Sequence, residues 1–451
     1  MRLFKWLYPN LGVKRWFVVA TVGIFLFALG LAVTNNGIAL GYIEYRLKEL
    51  VYLITGQNYW TAVPAGITIS AVGAFLTFFG IRQMFSAMVG VLLPEHENKI
   101  VDLIYEKNHL SRGPKIVVIG GGTGLSVLLR GLKKYTSNLT AIVSVSDDGG
   151  SSGRLREDLG ILPPGDIRNC LVALADTENL MDKLFSYRFD QGGALAGHNL
   201  GNLLIAGMND IAGDFQQAIE QLSKVLAVRG QVLPSTLENV ILGAELQDGS
   251  VVYGERNFTS FTSPIKRVFL EPNCCQPVNE ALTAISEAEA IVLGPGSLYS
   301  SIIPNLLVTE IQQAVRKSRA LKLYVCNVMT EPGETVGYSA SQHLKALVEH
   351  CGTGLAERVI VNAKEIPAGL LEKYKSLGST PVKADTKALA GMGIKVVEED
   401  LIYETDLVRH HPEKLAKCII HQIFRSKNLR ERITLVDEYL MERKLRAEPK
   451  R

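Results

Sequence analysis

The stretch from residue 115 to 132 constrains the fold more than any other part of the chain. A short β-branched run, residues 115–119, meets Gly120-Gly121-Gly122-Thr123-Gly124 with no spacer. Leu125, Val127, Leu128 and Leu132 then line one side of a helix that carries Arg130, Lys133 and Lys134. The run reads as a buried parallel strand. Strand, glycine turn and helix in succession predict an α/β domain with a Rossmann-like, mostly parallel sheet. Glycines let a phosphate approach the backbone, and free N–H groups at a helix start favour an anion. Gly121, Gly122, Thr123 and Gly124 are therefore candidate ligand contacts. Counting from Gly120, the sixth position is Leu125 and not glycine, so the dinucleotide pattern is incomplete. No Gly-Lys-Ser/Thr follows, which excludes a Walker A loop. A glycine turn that holds no ligand is the plain alternative.

The next strand, residues 140–145, ends at Ser146-Asp147-Asp148-Gly149-Gly150-Ser151-Ser152-Gly153-Arg154. An acid at the end of a second strand commonly meets a ribose hydroxyl. Asp147 and Asp148, followed by Ser151, Ser152 and Arg154, suggest a sugar-hydroxyl donor or a bridging Mg²⁺ beside phosphate. A solvated turn with a serine cap is the alternative. Pro163-Pro164-Gly165-Asp166 opens a helix, with Asp166 read as its N-cap and Arg168 and Asn169 in its first turn. His198, Asn199 and Asn202 precede and enter another helix, where a structural histidine competes with a ligand contact.

Residues 290–293 form a further strand before Gly294-Pro295-Gly296-Ser297, read as a second anion-holding turn with Gly296 and Ser297 as contacts. Asn327 follows the strand 321–326, and strands are expected at 358–361 and 394–397. Ligands of open parallel sheets bind at this carboxyl edge. One region differs. Residues 240–246 and 251–254 alternate around Gln247-Asp248-Gly249, which predicts an antiparallel hairpin inset.

The first ninety residues have another character. Residues 16–33 carry no charge, enough for a short membrane span, and 63–81 form a second apolar run. Arg2, Lys5, Lys14 and Arg15 precede the first with no acid among them, which places the N-terminus inside. Residues 38–54 read as an amphipathic stretch on the outer surface. The expected organisation is a two-span membrane anchor at 1–93, a linker at 94–113, a ligand-binding domain at 114–424 and a basic tail at 425–451. Both termini and the soluble domain would be cytoplasmic in a multi-pass protein of the cell membrane. A cleaved signal peptide and a hairpin buried in a soluble core are the competing readings. The tail reads as solvated, with anionic lipid as an alternative contact.

Net charge is +3, too small to indicate nucleic-acid binding. The six cysteines form no C-x-x-C pair and no zinc-ligand spacing, and the eight histidines form no H-E-x-x-H motif.

Residues 119–132, 146–156, 163–174, 197–204, 294–308 and 325–335 together resemble the YvcK family of gluconeogenesis factors, within the CofD-like superfamily. The resemblance covers roughly 113–424. It implies a domain that binds a UDP-sugar, notably UDP-N-acetylglucosamine, and links carbon metabolism to cell-wall precursor synthesis and cell shape. It further implies glucosamine-6-phosphate synthase as a partner, and a homo-oligomer is expected. Ligand contact is implied for Gly121, Gly122, Thr123, Asp147, Asn199, Asn202 and Ser297, and for Arg409 within Leu407-Val408-Arg409-His410. The CofD branch instead transfers a phospholactyl group from a nucleotide-diphospho donor with Mg²⁺. Leu125 and the 149–156 run favour the YvcK side. No nucleophile and base pair is evident. A nicotinamide-dependent dehydrogenase and a ligand-free membrane scaffold are further alternatives.

Overall fold

The computed structural model describes residues 13–34, 45–46, 49, 52–53, 62–92, 110–176, 179–191, 193–260, 263–404 and 408–426. The chain divides into two compact units, Met1–Lys107 and Asn108–Arg451. Most of the expected outer amphipathic stretch, residues 94–109 of the expected linker, and residues 427–451 of the tail lie outside the described residues.

In the first unit, the helices Val13–Thr34 and Ala62–Leu92 pack against each other as a hairpin. Small residues make the contact. A Cβ on Gly23 would lie 2.5 Å from the Thr77 backbone nitrogen, and one on Gly80 would lie 2.7 Å from that of Ala20. Gly30 faces Ser70 and Gly66 in the same way, and Gly73 faces Phe27. Close backbone approach at small residues is how helices associate where lipid removes the hydrophobic drive. The outer faces carry Phe25, Phe75 and Phe78, each more than 60% exposed. A soluble core helix would bury them. Both helices are long and apolar enough to cross a membrane. The first, at 22 residues, spans about 33 Å.

The second unit is built on a seven-stranded, wholly parallel sheet. Its strands are β1 (Ile116–Gly120), β2 (Leu139–Val143), β3 (Gln231–Pro234), β7 (Ala290–Leu293), β8 (Leu321–Val325), β9 (Arg358–Asn362) and β10 (Lys395–Glu399). They lie in the order β10-β9-β8-β7-β1-β2-β3. Central strands β1, β2, β7 and β8 are buried at every residue, as expected when helices cover both faces. The inset is larger than a hairpin: β4 (Ile241–Leu246), β5 (Val251–Tyr253) and β6 (Ile265–Glu271) make a three-stranded antiparallel sheet. A small antiparallel pair, β11 (Ile402–Glu404) and β12 (Val408–His410), precedes the last helix, Pro412–Phe424.

The order reverses at β1. The chain proceeds outward from β1 through β2 to β3 on one side, and through β7 to β10 on the other. The loops after β1 and β7 therefore diverge and leave a crevice, the place where ligands bind in such sheets. Residues 110–113, at the end of the expected linker, are already packed into this unit. Leu110 is buried, and its carbonyl accepts from the Ser137 N–H at 2.9 Å.

Candidate functional site

The glycine turn has local reasons for its composition. Gly121 is the N-cap of the helix Gly122–Leu132, and Gly122 has φ +66°, a region that favours glycine. A side chain on Gly121 would run into the Asp166 carboxylate. One on Gly124 would lie 2.8 Å from the Pro295 carbonyl oxygen. Gly124 thus lets the loop after β7 approach the glycine turn, and Gly121 admits Asp166 from the start of the helix Gly165–Leu174. At the far end of the same helix, Gly131 admits Pro412 and Ala416 of the last helix at close range. That contact fixes the position of β12 immediately upstream, and so of Arg409.

A cavity of about 270 Å³ opens at the switch point. Gly121 to Gly124 form one wall, and Gly296, Ser297 and Asn327 a second. Tyr374, Arg409 and His410 close the third side, over a floor that includes Val328, Met329 and Val408. The Asn327 amide braces the second loop reciprocally: it donates to the Gly296 carbonyl at 2.9 Å and accepts from the Gly296 N–H at 3.2 Å. Tyr374 holds the third side, since its hydroxyl accepts from the Val408 N–H at 2.9 Å. The His410 ring is buried and bonded to the Cys326 backbone, and burial pushes its pKa down to about 4, so it is neutral at physiological pH. Eight sequence-predicted residues are brought together here: Gly121, Gly122, Thr123, Gly124, Gly296, Ser297, Asn327 and Arg409.

The other ten do not line the cavity, and most are held in hydrogen-bonded clusters. The Asp147 carboxylate accepts from the Gly149 N–H at 2.8 Å and from the Ser152 hydroxyl. Ser151 contacts the His198 ring at 3.2 Å and accepts from the Asn199 N–H. Asn199 caps the helix Leu200–Ala212 by accepting from the Asn202 N–H. Arg168 donates to Asn202 at 3.0 Å and to Asn169 at 2.6 Å. Asp148 and Arg154 serve neighbouring segments: Asp148 accepts from the Arg256 N–H of the inset, and Arg154 donates to the Ala196 carbonyl.

Two expectations are corrected. Asp166 does not cap its own helix, whose N-cap is Pro164; its carboxylate accepts from the Gly122 N–H instead. The turn after β7 is not a free anion site. Glu334 fills it, accepting from the Tyr299 N–H at 3.0 Å and the Ser300 hydroxyl at 2.8 Å. Any phosphate must therefore rely on the remaining N–H groups of the first turn and on Arg409.

Sequence reading missed the acids that make the site electrostatically unusual. Glu255, at the start of the 3₁₀ segment Glu255–Ser260, bonds to the Ser300 hydroxyl. Burial raises its pKa well above the ordinary range, and Asp147, Glu334 and Asp166 add to the rise. Burial and the Asp147 charge lift Asp166 to about 6. Burial also lifts Glu334, reinforced by Glu331, and Glu331 itself is raised by burial while the Ser297 hydroxyl opposes the rise. Carboxylates at one edge of a sheet repel. A divalent cation relieves such crowding, yet among the described residues no three histidine, cysteine, aspartate or glutamate side chains converge to hold one. Glu331 and Glu334 sit in the loop after β8, where acids at a strand's carboxyl end were the available signal. Tyr374 had none, because only tertiary packing brings it to the cavity.

A family profile described as 2-phospho-L-lactate transferase CofD matches residues 116–402, the whole of this sheet. The chain belongs to the CofD family. Within it, the chain falls among the gluconeogenesis factors, the YvcK group. It is 46% identical over 422 residues to a putative gluconeogenesis factor of Nostoc sp., covering 92% of each chain. It is 41% identical to one from Clostridium acetobutylicum, covering 100% of this chain and 98% of that one. The gluconeogenesis factor of Bacillus subtilis is 50% identical but covers only 69% of this chain and 98% of its own. The N-terminal unit is therefore shared with some gluconeogenesis factors and lies outside the match to others. A crystal structure of a UPF0052 family member from Bacillus halodurans superposes with TM-score 0.66 at 49% identity, covering 68% of this chain and 99% of that one.

Proposed function

We propose that this chain is a membrane-anchored regulatory protein that binds a UDP-sugar, with UDP-N-acetylglucosamine as the leading ligand. The observation that carries the reading is the cavity at the sheet's switch point, where a helix-starting glycine turn faces Arg409 and Tyr374 across an apolar floor. Backbone N–H groups and a guanidinium suit a diphosphate. The floor suits a base or sugar ring. Asp147 and the amides beside it offer hydrogen bonds to hydroxyls. Binding would alter the Tyr374–Arg409 side, which rests on a small apolar cluster of Val328, Met329, Ile402 and Val408 separate from the main core. A partner enzyme of wall-precursor synthesis, such as glucosamine-6-phosphate synthase, would read that change. The apolar hairpin would hold the domain on the cytoplasmic face, where those precursors are used. Calorimetry of the detergent-solubilised chain with UDP-N-acetylglucosamine, with and without Mg²⁺, tests the reading. Saturable binding without product supports it, and absence of binding by a folded protein removes it.

One observation favours a second reading. The acids Asp147 and Asp166 interact electrostatically with Glu255, and the matched family profile is named for a transferase. Turnover of a nucleotide-diphospho-lactate donor, measured by product formation, would establish that activity.

A further inference from the structure

Arg409 and Glu331 are the charged residues among those lining the cavity. They come from different elements, β12 and the loop after β8, and so give the cavity a cationic and an acidic side. Glu331 is not a stray surface acid. Its carboxylate is held by the Ser297 hydroxyl and lies 3.4 Å from the Asn327 amide nitrogen, while its N–H donates to the Thr335 hydroxyl at 3.0 Å. A carboxylate offers about four acceptor positions, so two internal donors leave capacity facing the cavity. Beyond the lining, Glu334 and Glu255 both bond to the Ser300 hydroxyl, and Glu255 interacts electrostatically with Asp147 and Asp166. Among the residues lining the cavity, the positive charge that suits a diphosphate is that of Arg409, on the other side.

We propose that Glu331 sets the cavity's selectivity, accepting hydrogen bonds from the neutral, donor-bearing part of a nucleotide sugar and excluding nucleotide sugars with an additional carboxylate. This rests on the nucleotide-sugar reading above. A ligand whose only anionic group is its diphosphate can direct that charge to the glycine turn and Arg409. A sugar acid has a second anion, and Arg409 is the one Lys or Arg among the described residues that line the cavity. Hydroxyl and amide donors, by contrast, complete the open acceptor positions of Glu331.

The test is calorimetric binding of UDP-N-acetylglucosamine and UDP-glucuronic acid to the detergent-solubilised full chain. Wild type should prefer the neutral sugar by about tenfold or more, the effect of one like-charge approach across several Å of protein. Glu331→Gln should narrow that ratio to within about threefold, and Glu331→Asp, which keeps the charge, should preserve it. Equal affinities in wild type, a comparison that needs no variant, would overturn the inference alone. So would an unchanged ratio in folded Glu331→Gln. Failure of wild type to bind either ligand would instead remove the nucleotide-sugar reading and this inference with it.

Discussion

At the residue scale, the site is a compromise between carboxylates and the groups that hold them. Asp166 shows this best. Its pKa in the fold, about 6, exceeds the ordinary 3.8. The native state therefore keeps its proton longer than the unfolded chain does. The resulting stability is fully present below about pH 4 and is lost as pH rises to about 6, at a cost of roughly 3 kcal/mol. Asp166→Asn still accepts from Gly122 but carries no charge. Its thermal stability should exceed wild type more at pH 8 than at pH 5, and a gap independent of pH would contradict the assignment. Gly124 makes a steric prediction. A Cβ there meets the Pro295 carbonyl oxygen at 2.8 Å and the Gly296 nitrogen at 3.1 Å, backbone atoms that cannot swing away. Gly124→Ala should cost roughly 1–3 kcal/mol in denaturant unfolding and weaken ligand binding as the two loops part.

At the element scale, the Tyr374 hydroxyl ties the third side of the cavity to the start of β12. Tyr374→Phe leaves the Val408 N–H without its acceptor, which costs about 1–3 kcal/mol locally. Ligand affinity should fall about tenfold while the main core, which Tyr374 does not join, melts as in wild type. Calorimetry and thermal unfolding of the same preparation separate the two effects. What the sequence revealed follows the same division. β1, β2, β7 and β8 were legible because buried parallel strands are unbroken apolar runs that stop at glycine or polar residues. β3 (Gln-Val-Leu-Pro) is short, and its proline obscured it. β6 and the β11–β12 pair carry no such signal, since each is completed by a partner that the fold supplies. The turn residues Gly121 to Gly124, Gly296 and Ser297 were found from local pattern alone. Asp166 and the turn after β7 were misassigned because their partners, Gly122 and Glu334, come from other loops. Only the three-dimensional fold shows that internal acids occupy those N–H groups.

At the scale of the whole molecule, the two units differ in the surface they present. The hairpin packs its glycines closely against Ala20, Ser70 and Thr77 and exposes Phe25, Phe75 and Phe78, the reverse of a soluble pair. The full chain should stay in the membrane fraction through alkaline carbonate washing. Gly73→Leu, which forces a side chain against the Phe27 backbone, should loosen the hairpin without affecting ligand affinity. Release of the wild-type chain by carbonate would contradict the anchor. The second unit carries the candidate site, and a match over 69% of this chain already covers 98% of the Bacillus subtilis relative.

The most direct test of the account is calorimetric titration of UDP-N-acetylglucosamine into the detergent-solubilised wild-type chain, with Arg409→Ala alongside. The account predicts saturable binding at one site per chain, no product, and affinity at least about tenfold weaker in the folded variant, the loss of one charge-assisted contact. Undiminished affinity in Arg409→Ala would contradict the placement of the diphosphate, and no binding by folded wild type would contradict the function.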